Sequence, residues 1–295
     1  MQNKILVACL VAVALPALAD TTEPAATPEH AVSANVAFVS QYVFRGLSQT
    51  NGKPAIQGGL DYAHASGFYA GTWLSNISWF TDQNAGVKNA PVSLASPGSV
   101  GAPYAADASN AASVEWDLYG GYKNTFAGDW SYDVGLIRYA YPGTFDNLGA
   151  YRKPDTTEAY GAFGYKWLTF KYSKTLSTYT FGVNESKGAS YADLTALIPL
   201  GQSGVSLQAH VGRQTYPGNP NVGYWGASGG DNSFFDYTDY RLGLAKEYKG
   251  FNVGLAWSYA NTRHTAPDGN TTAYMNAFGK NIGRERLVLS AGKTF

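Results

Sequence analysis

From Ala34 onward the chain alternates large apolar residues with small or polar ones at a period of two. Phe251, Val253, Leu255, Trp257 and Tyr259 interleave with Asn252, Gly254, Ala256, Ser258 and Ala260. In the same way Val36, Phe38, Tyr42 and Phe44 stand against Asn35, Gln41 and Arg45, and Val114, Trp116, Leu118 and Tyr122 against Glu115, Asp117 and Tyr119. Successive side chains of a strand point to opposite faces, so the pattern marks strands that separate two different environments. Twelve strands are expected, near 34–45, 54–64, 68–77, 113–122, 129–141, 157–165, 168–175, 190–200, 204–214, 237–247, 251–262 and 284–295. Each is close to the about 9–11 residues that a tilted strand needs to cross a bilayer.

The connections alternate too. Those after the even strands are short, as in Ala65-Ser66-Gly67 and Tyr248-Lys249-Gly250; those after the odd strands are longer and include 78–112 and 215–236. Short turns on one side and long loops on the other describe an all-β, transmembrane antiparallel barrel with short periplasmic turns and long external loops. An even strand count places both termini in the periplasm. Interfacial aromatic girdles are expected from Tyr42, Phe44, Trp257 and Tyr259 on the external side, and from Tyr122, Trp130, Tyr132 and Phe251 on the periplasmic side.

Composition narrows the class further. Aromatics make up 15% and charged residues 14%, against about 25% charged in an ordinary soluble domain. Lys and Arg number 21 and Asp and Glu 21, which lacks the basic surplus of a nucleic-acid binder. Beyond the first residues no stretch approaches the ~18 apolar residues of a membrane helix. Residues 1–19 have the form of a secretory signal: Lys4, an apolar run from Ile5 to Leu15, and an Ala17-Leu18-Ala19 cleavage site. Residues 20–33 read as a flexible lead-in and 34–295 as the barrel. Cys9, the only cysteine, lies within the signal, so disulfides and cysteine metal sites are not expected in the mature chain.

The densest motif runs through the first hairpin: Tyr42-x-Phe44-Arg45-Gly46-x-Ser48-Gln49-Thr50, then Pro54-Ala55-x-Gln57-Gly58-Gly59-x-Asp61-Tyr62, then Ser66-Gly67-x-Tyr69-x-Gly71-x-Trp73-x-Ser75-Asn76. It resembles the TorF-family putative porins of bacterial outer membranes, with looser likeness at Glu158-x-Tyr160 and Tyr191-x-Asp193-Leu194. The resemblance implies a porin-type barrel in the outer membrane of a Gram-negative bacterium; it supplies neither a substrate nor a site. Phe295 at the end of the last strand is similar to the terminal aromatic read by the barrel assembly machinery, although Lys293 stands where that signal has an apolar residue.

Charges facing lipid are costly, so the register sends most of them inward. Arg45, Lys171, Arg241, Arg284 and Arg286 are expected in the lumen with Asp61, Glu115, Asp117, Asp133, Glu158, Asp193, Asp239 and Glu247, together with His210. The carboxylates outnumber the cations, which gives a mildly cation-leaning interior. Two readings stay open: an ion-pair network that fixes the barrel's shape, and a charged pathway that biases permeation. Arg45, Gln57 and Asp61 on the first hairpin form the candidate constriction. Arg138 and Arg213 fall on the outward face near the external strand ends, where they would snorkel to headgroups and meet lipopolysaccharide phosphates.

The expected function is passive diffusion of small hydrophilic solutes, without a cofactor. A non-conducting barrel that acts as receptor, adhesin or structural anchor through its long loops is the alternative, with one of those loops also able to fold inward as a plug. A barrel phospholipase is the least supported: none of His30, His64, His210 and His264 sits beside a serine with an orienting partner. No histidine–carboxylate cluster shows metal-ligand spacing along the chain.

Overall fold

The structure is a computed structural model that describes residues 28–82, 84, 110–145, 152–219, 231–263, 274–276 and 278–295. The signal segment and most of the 78–112 loop lie outside the described residues, as do Tyr224, Trp225 and His264. Twelve antiparallel strands close into a barrel: β1 (His30–Val39), β4 (Ala55–His64), β5 (Phe68–Asn76), β6 (Val114–Phe126), β7 (Trp130–Ala140), β8 (Thr156–Tyr165), β9 (Leu168–Thr175), β10 (Ser190–Pro199), β11 (Val205–Thr215), β12 (Tyr237–Tyr248), β13 (Phe251–Ala260) and β14 (Arg286–Thr294). Each strand pairs with its neighbours in sequence, and β1 returns to β14. Closure leaves no edge, so every strand's backbone groups are satisfied without water. The seam is completed by Ala34 and Phe295, which exchange backbone hydrogen bonds of 3.1 and 2.8 Å.

The alternation resolves into two surfaces. Leu60, Leu118, Leu136, Leu194, Leu242, Leu255, Leu287 and Leu289 point outward, the last two 62% and 60% exposed. An apolar band of that extent suits hydrocarbon rather than water. At the end that carries the termini the outer face is ringed by touching aromatics, Phe68–Tyr122, Tyr122–Tyr132, Phe126–Phe163 and Trp130–Tyr165. At the opposite end Tyr240 and Trp257 stack on Tyr259.

The first strand departs from the expected 34–45. β1 begins earlier, at His30, and stops at Val39. The chain then turns into the barrel, and 40–54 form a loop around a small two-stranded sheet of β2 (Val43–Phe44) and β3 (Leu47–Ser48) that joins no wall strand. The turn between them places Arg45 at φ 45° and Gly46 at φ 76°, the left-handed pair that a tight hairpin demands. Tyr42 and Phe44 are therefore not external girdle residues. Tyr42 is buried and meets Trp73 edge-on at 5.6 Å; Phe44 packs on Tyr139 and Phe181 at 5.5 and 5.4 Å. A hairpin inside the barrel has the same period of two as a strand in its wall, so the pattern alone reads as one long strand. The main apolar cluster, with Val39, Ile77, Phe80, Ile137 and Val288, surrounds this loop inside the barrel.

Candidate lumen site

The inward loop places its tip between opposite walls. A Cβ on Gly46 would lie 2.5 Å from the Asp239 Cβ on β12 and 2.9 Å from the Ala260 Cβ on β13, so only glycine lets the turn seat there. On the other side Tyr42 donates its hydroxyl to Glu115 of β6 at 2.8 Å. Arg45 reaches β8, where its two terminal nitrogens donate to the two oxygens of Glu158 at 3.0 and 2.7 Å. One of them also donates to the Gln214 carbonyl on β11 at 2.9 Å. The guanidinium lies 4.2 Å from the centre of the Tyr191 ring, and Phe44 and Phe181 flank it at 5.0 and 5.5 Å. Arg45 suits this place: a planar fork matches a carboxylate bidentately and stacks on aromatic faces, which a lysine cannot do.

The other inward residues form local sets. Tyr119 donates to Asp61 at 2.6 Å and Tyr69 to Asp133 at 2.6 Å, with Tyr160 against the Tyr69 hydroxyl. The Lys171 ammonium sits 3.7 Å from the centre of the Tyr160 ring. His210 lies 3.2 Å from Asp239 and 3.8 Å from Asp193, and Tyr191 donates to Asp239 at 2.9 Å. Asp117 is buried and neither carboxylate oxygen has a hydrogen-bond partner. Arg286 donates to the carbonyls of Arg284 and Asn281 at 2.9 and 3.4 Å, whereas Arg284 is exposed ahead of β14. Glu247, near the turn end of β12, is exposed as well.

Arg45, Gln57 and Asp61 do not form one cluster. Arg45 crosses to Glu158, Asp61 is held by Tyr119, and Gln57 approaches Ser75 at 3.4 Å. Arg138 and Arg213 point outward, and each meets the carboxylate just ahead of the following strand: Asp155 before β8 and Asp236 before β12, both at 3.2 Å. Sequence reasoning missed Tyr42, Tyr191 and Gln214 as partners of the charged residues. It also missed a group on the outer rim. His30 and His64 are cross-strand partners with ring centres 5.1 Å apart, and with Glu29 they offer ligand atoms all within 4.8 Å of one another. The histidines stand far apart in sequence, and register alone unites them.

Near the end opposite the termini a second apolar cluster gathers Val183, Tyr216, Phe234 and Phe235, with Tyr274 packed on it. It is shaped by a short 3-10 helix at Asn232–Phe235, whose Asp231 side chain caps Ser233.

An apolar exterior, an interior that gathers the buried carboxylates and a loop bonded across the lumen together define a transmembrane β-barrel of the outer-membrane type. The chain belongs to the Gcw_chp family, bacterial proteins of unknown function, whose pattern matches residues 23–295. No curated protein matches its sequence. It is similar to the COG4313 outer membrane channel from Pseudomonas putida F1, at a TM-score of 0.46 and 13% identity over 93% of this chain and 100% of that one. OccAB3 of Acinetobacter baumannii gives a TM-score of 0.41 at 9% identity over 91% of this chain, which spans 65% of OccAB3's length. Pseudomonas aeruginosa OprD gives 0.33 at 13% identity, covering 91% and 67%.

Proposed function

We propose that the protein is an outer-membrane channel of the TorF porin kind, through which small hydrophilic solutes diffuse along their gradient when the inward loop leaves its seat. The reading rests chiefly on the loop itself, which crosses from β1 to Glu158 and Gln214 and so bridges walls that face each other. The buried Arg45–Glu158 pair is the latch, and removing either partner costs about 3–5 kcal/mol. Export by a cleaved signal peptide, with the start of β1 and the end of β14 on the periplasmic side, completes this reading. Arg138 and Arg213 would then lie in the outer leaflet; Lys153 shares Asp155 with Arg138, leaving a surplus positive charge for a lipopolysaccharide phosphate. A mild preference for cations follows from the lumen carboxylates, opposed by Arg45, Lys171, Arg241 and Arg286.

Single-channel recording of the refolded protein in a planar bilayer tests the reading. Brief openings that become long when residues 43–48 are replaced by a short glycine–serine link support it. A folded barrel that passes no current with or without the loop overturns it and favours a surface receptor. The buried seating of Arg45 is the observation on the side of that second reading, since a plug held this firmly also suits a barrel that never opens.

A further inference from the structure

Arg241 stands apart from the other lumen cations. It projects inward from β12, cross-strand from His210 on β11 and Ser258 on β13. The carboxylates nearest in sequence register, Asp193 and Asp239, face His210 and the Tyr191 hydroxyl. Among the described residues Arg241 makes no ion pair, and its buried Nε has no hydrogen-bond partner. Arg241 itself is half-buried, and a guanidinium partly withdrawn from water without a counter-charge is costly.

Two further orphaned atoms belong to residues that line one cavity with Arg241. The Gln57 Oε1 on β4 and the Asn252 Oδ1 on β13 are buried and without partners. Both residues line, with Arg241, a cavity of about 40 Å³ between the inward loop and the wall. Tyr42 and Val43 of the loop form one side of it and Ser290 of β14 another. Arg286 occupies the next inward position of the same cross-strand row, reached through Ser258. The volume holds about three or four waters, or one small molecule of comparable size, taking about 10–15 Å³ for each water.

We propose that Arg241, Gln57 and Asn252 form a binding site for a small carboxylate that carries a hydroxyl or amino group, seated between the inward loop and the β12–β13–β14 wall. The carboxylate pairs with the Arg241 guanidinium, and the substituent donates to the Gln57 and Asn252 carbonyl oxygens. Occupancy buries the ligand against Tyr42 and Val43, which couples it to the loop's position. The site does not depend on conduction, because binding can be read in detergent.

The test uses lactate, propionate and chloride at matched ionic strength, with the refolded protein in detergent and its thermal unfolding followed by circular dichroism. Lactate should raise the midpoint saturably, propionate should do so at higher concentration, and chloride should not. Arg241→Gln should abolish the lactate shift. Asn252→Leu should weaken lactate about tenfold, as one lost hydrogen bond to a charged or buried partner does, and leave propionate unchanged. Equal shifts from lactate and chloride, or a lactate shift that survives Arg241→Gln, would overturn the site. A barrel that conducts but fails this test keeps the channel reading and loses the carboxylate site; one that binds lactate but passes no current does the reverse.

Discussion

Arg45 and Glu158 are separated by 113 positions in the chain and meet as a bidentate pair, with 8% and 2% of their side-chain surfaces exposed. The pair joins a loop that belongs to no wall strand to β8, at the third residue of that strand. In the proposed channel its strength is what would set how often the lumen is clear.

Breaking one half of a buried pair leaves an uncompensated charge and costs about 3–5 kcal/mol. Arg45→Ala and Glu158→Ala should each lengthen channel openings. The double variant should differ little from either single one, giving a coupling of about 3 kcal/mol in a double-mutant cycle on open probability. Additive effects would show that the latch lies elsewhere.

Gly46 is the loop's tightest contact. Gly46→Ala places a Cβ 2.5 Å from that of Asp239 and adds the cost of φ 76° for an L-residue, about 1–2 kcal/mol before the clash. The tip should lift while the wall remains intact. Openings should lengthen with unchanged strand content by circular dichroism.

Ser48 is buried in the inward loop at 2% exposure, and Cys9 is the chain's only cysteine. A thiol at Ser48→Cys, in protein from which residues 1–19 are absent, should react slowly with a water-soluble maleimide. The rate should rise when Glu158→Ala is added. Equal fast labelling in both backgrounds would mean that the loop is unseated at rest.

Leu242 is 53% exposed on the outer face, midway along β12. Leu242→Arg should cost about 2–4 kcal/mol in a bilayer, the depth-dependent penalty of a lipid-facing cation. Urea refolding into vesicles measures it. A shift below 0.5 kcal/mol, well under that penalty, would argue that this face does not contact hydrocarbon.

The wall was legible in the sequence because an alternating pattern has one cause in a barrel, lipid on one side and solvent on the other. Leu287, Leu289 and Val253 are outward for that reason, and the turns at 65–67 and 249–250 announced themselves through glycine. The lumen was less legible. Tyr42 and Phe44 alternate as lipid-facing residues do, yet their apolar surroundings are other lumen side chains. Which carboxylate Arg45 would choose, and that Gln214 would join it, depends on the barrel's curvature and the loop's path, neither of which spacing along the chain encodes. Arg241 was assigned to the lumen, but its lack of a counter-ion emerges only when His210 is seen to face both neighbouring carboxylates.

The inward loop is synthesised near the start of the chain, whereas its partners Glu158 and Gln214 sit on strands translated far later. A nascent or truncated product that lacks β8 and β11 carries a guanidinium with nowhere to dock. The seat of Arg45 thus exists only once β8 and β11 stand in the wall: the keystone comes early in the chain and is set last.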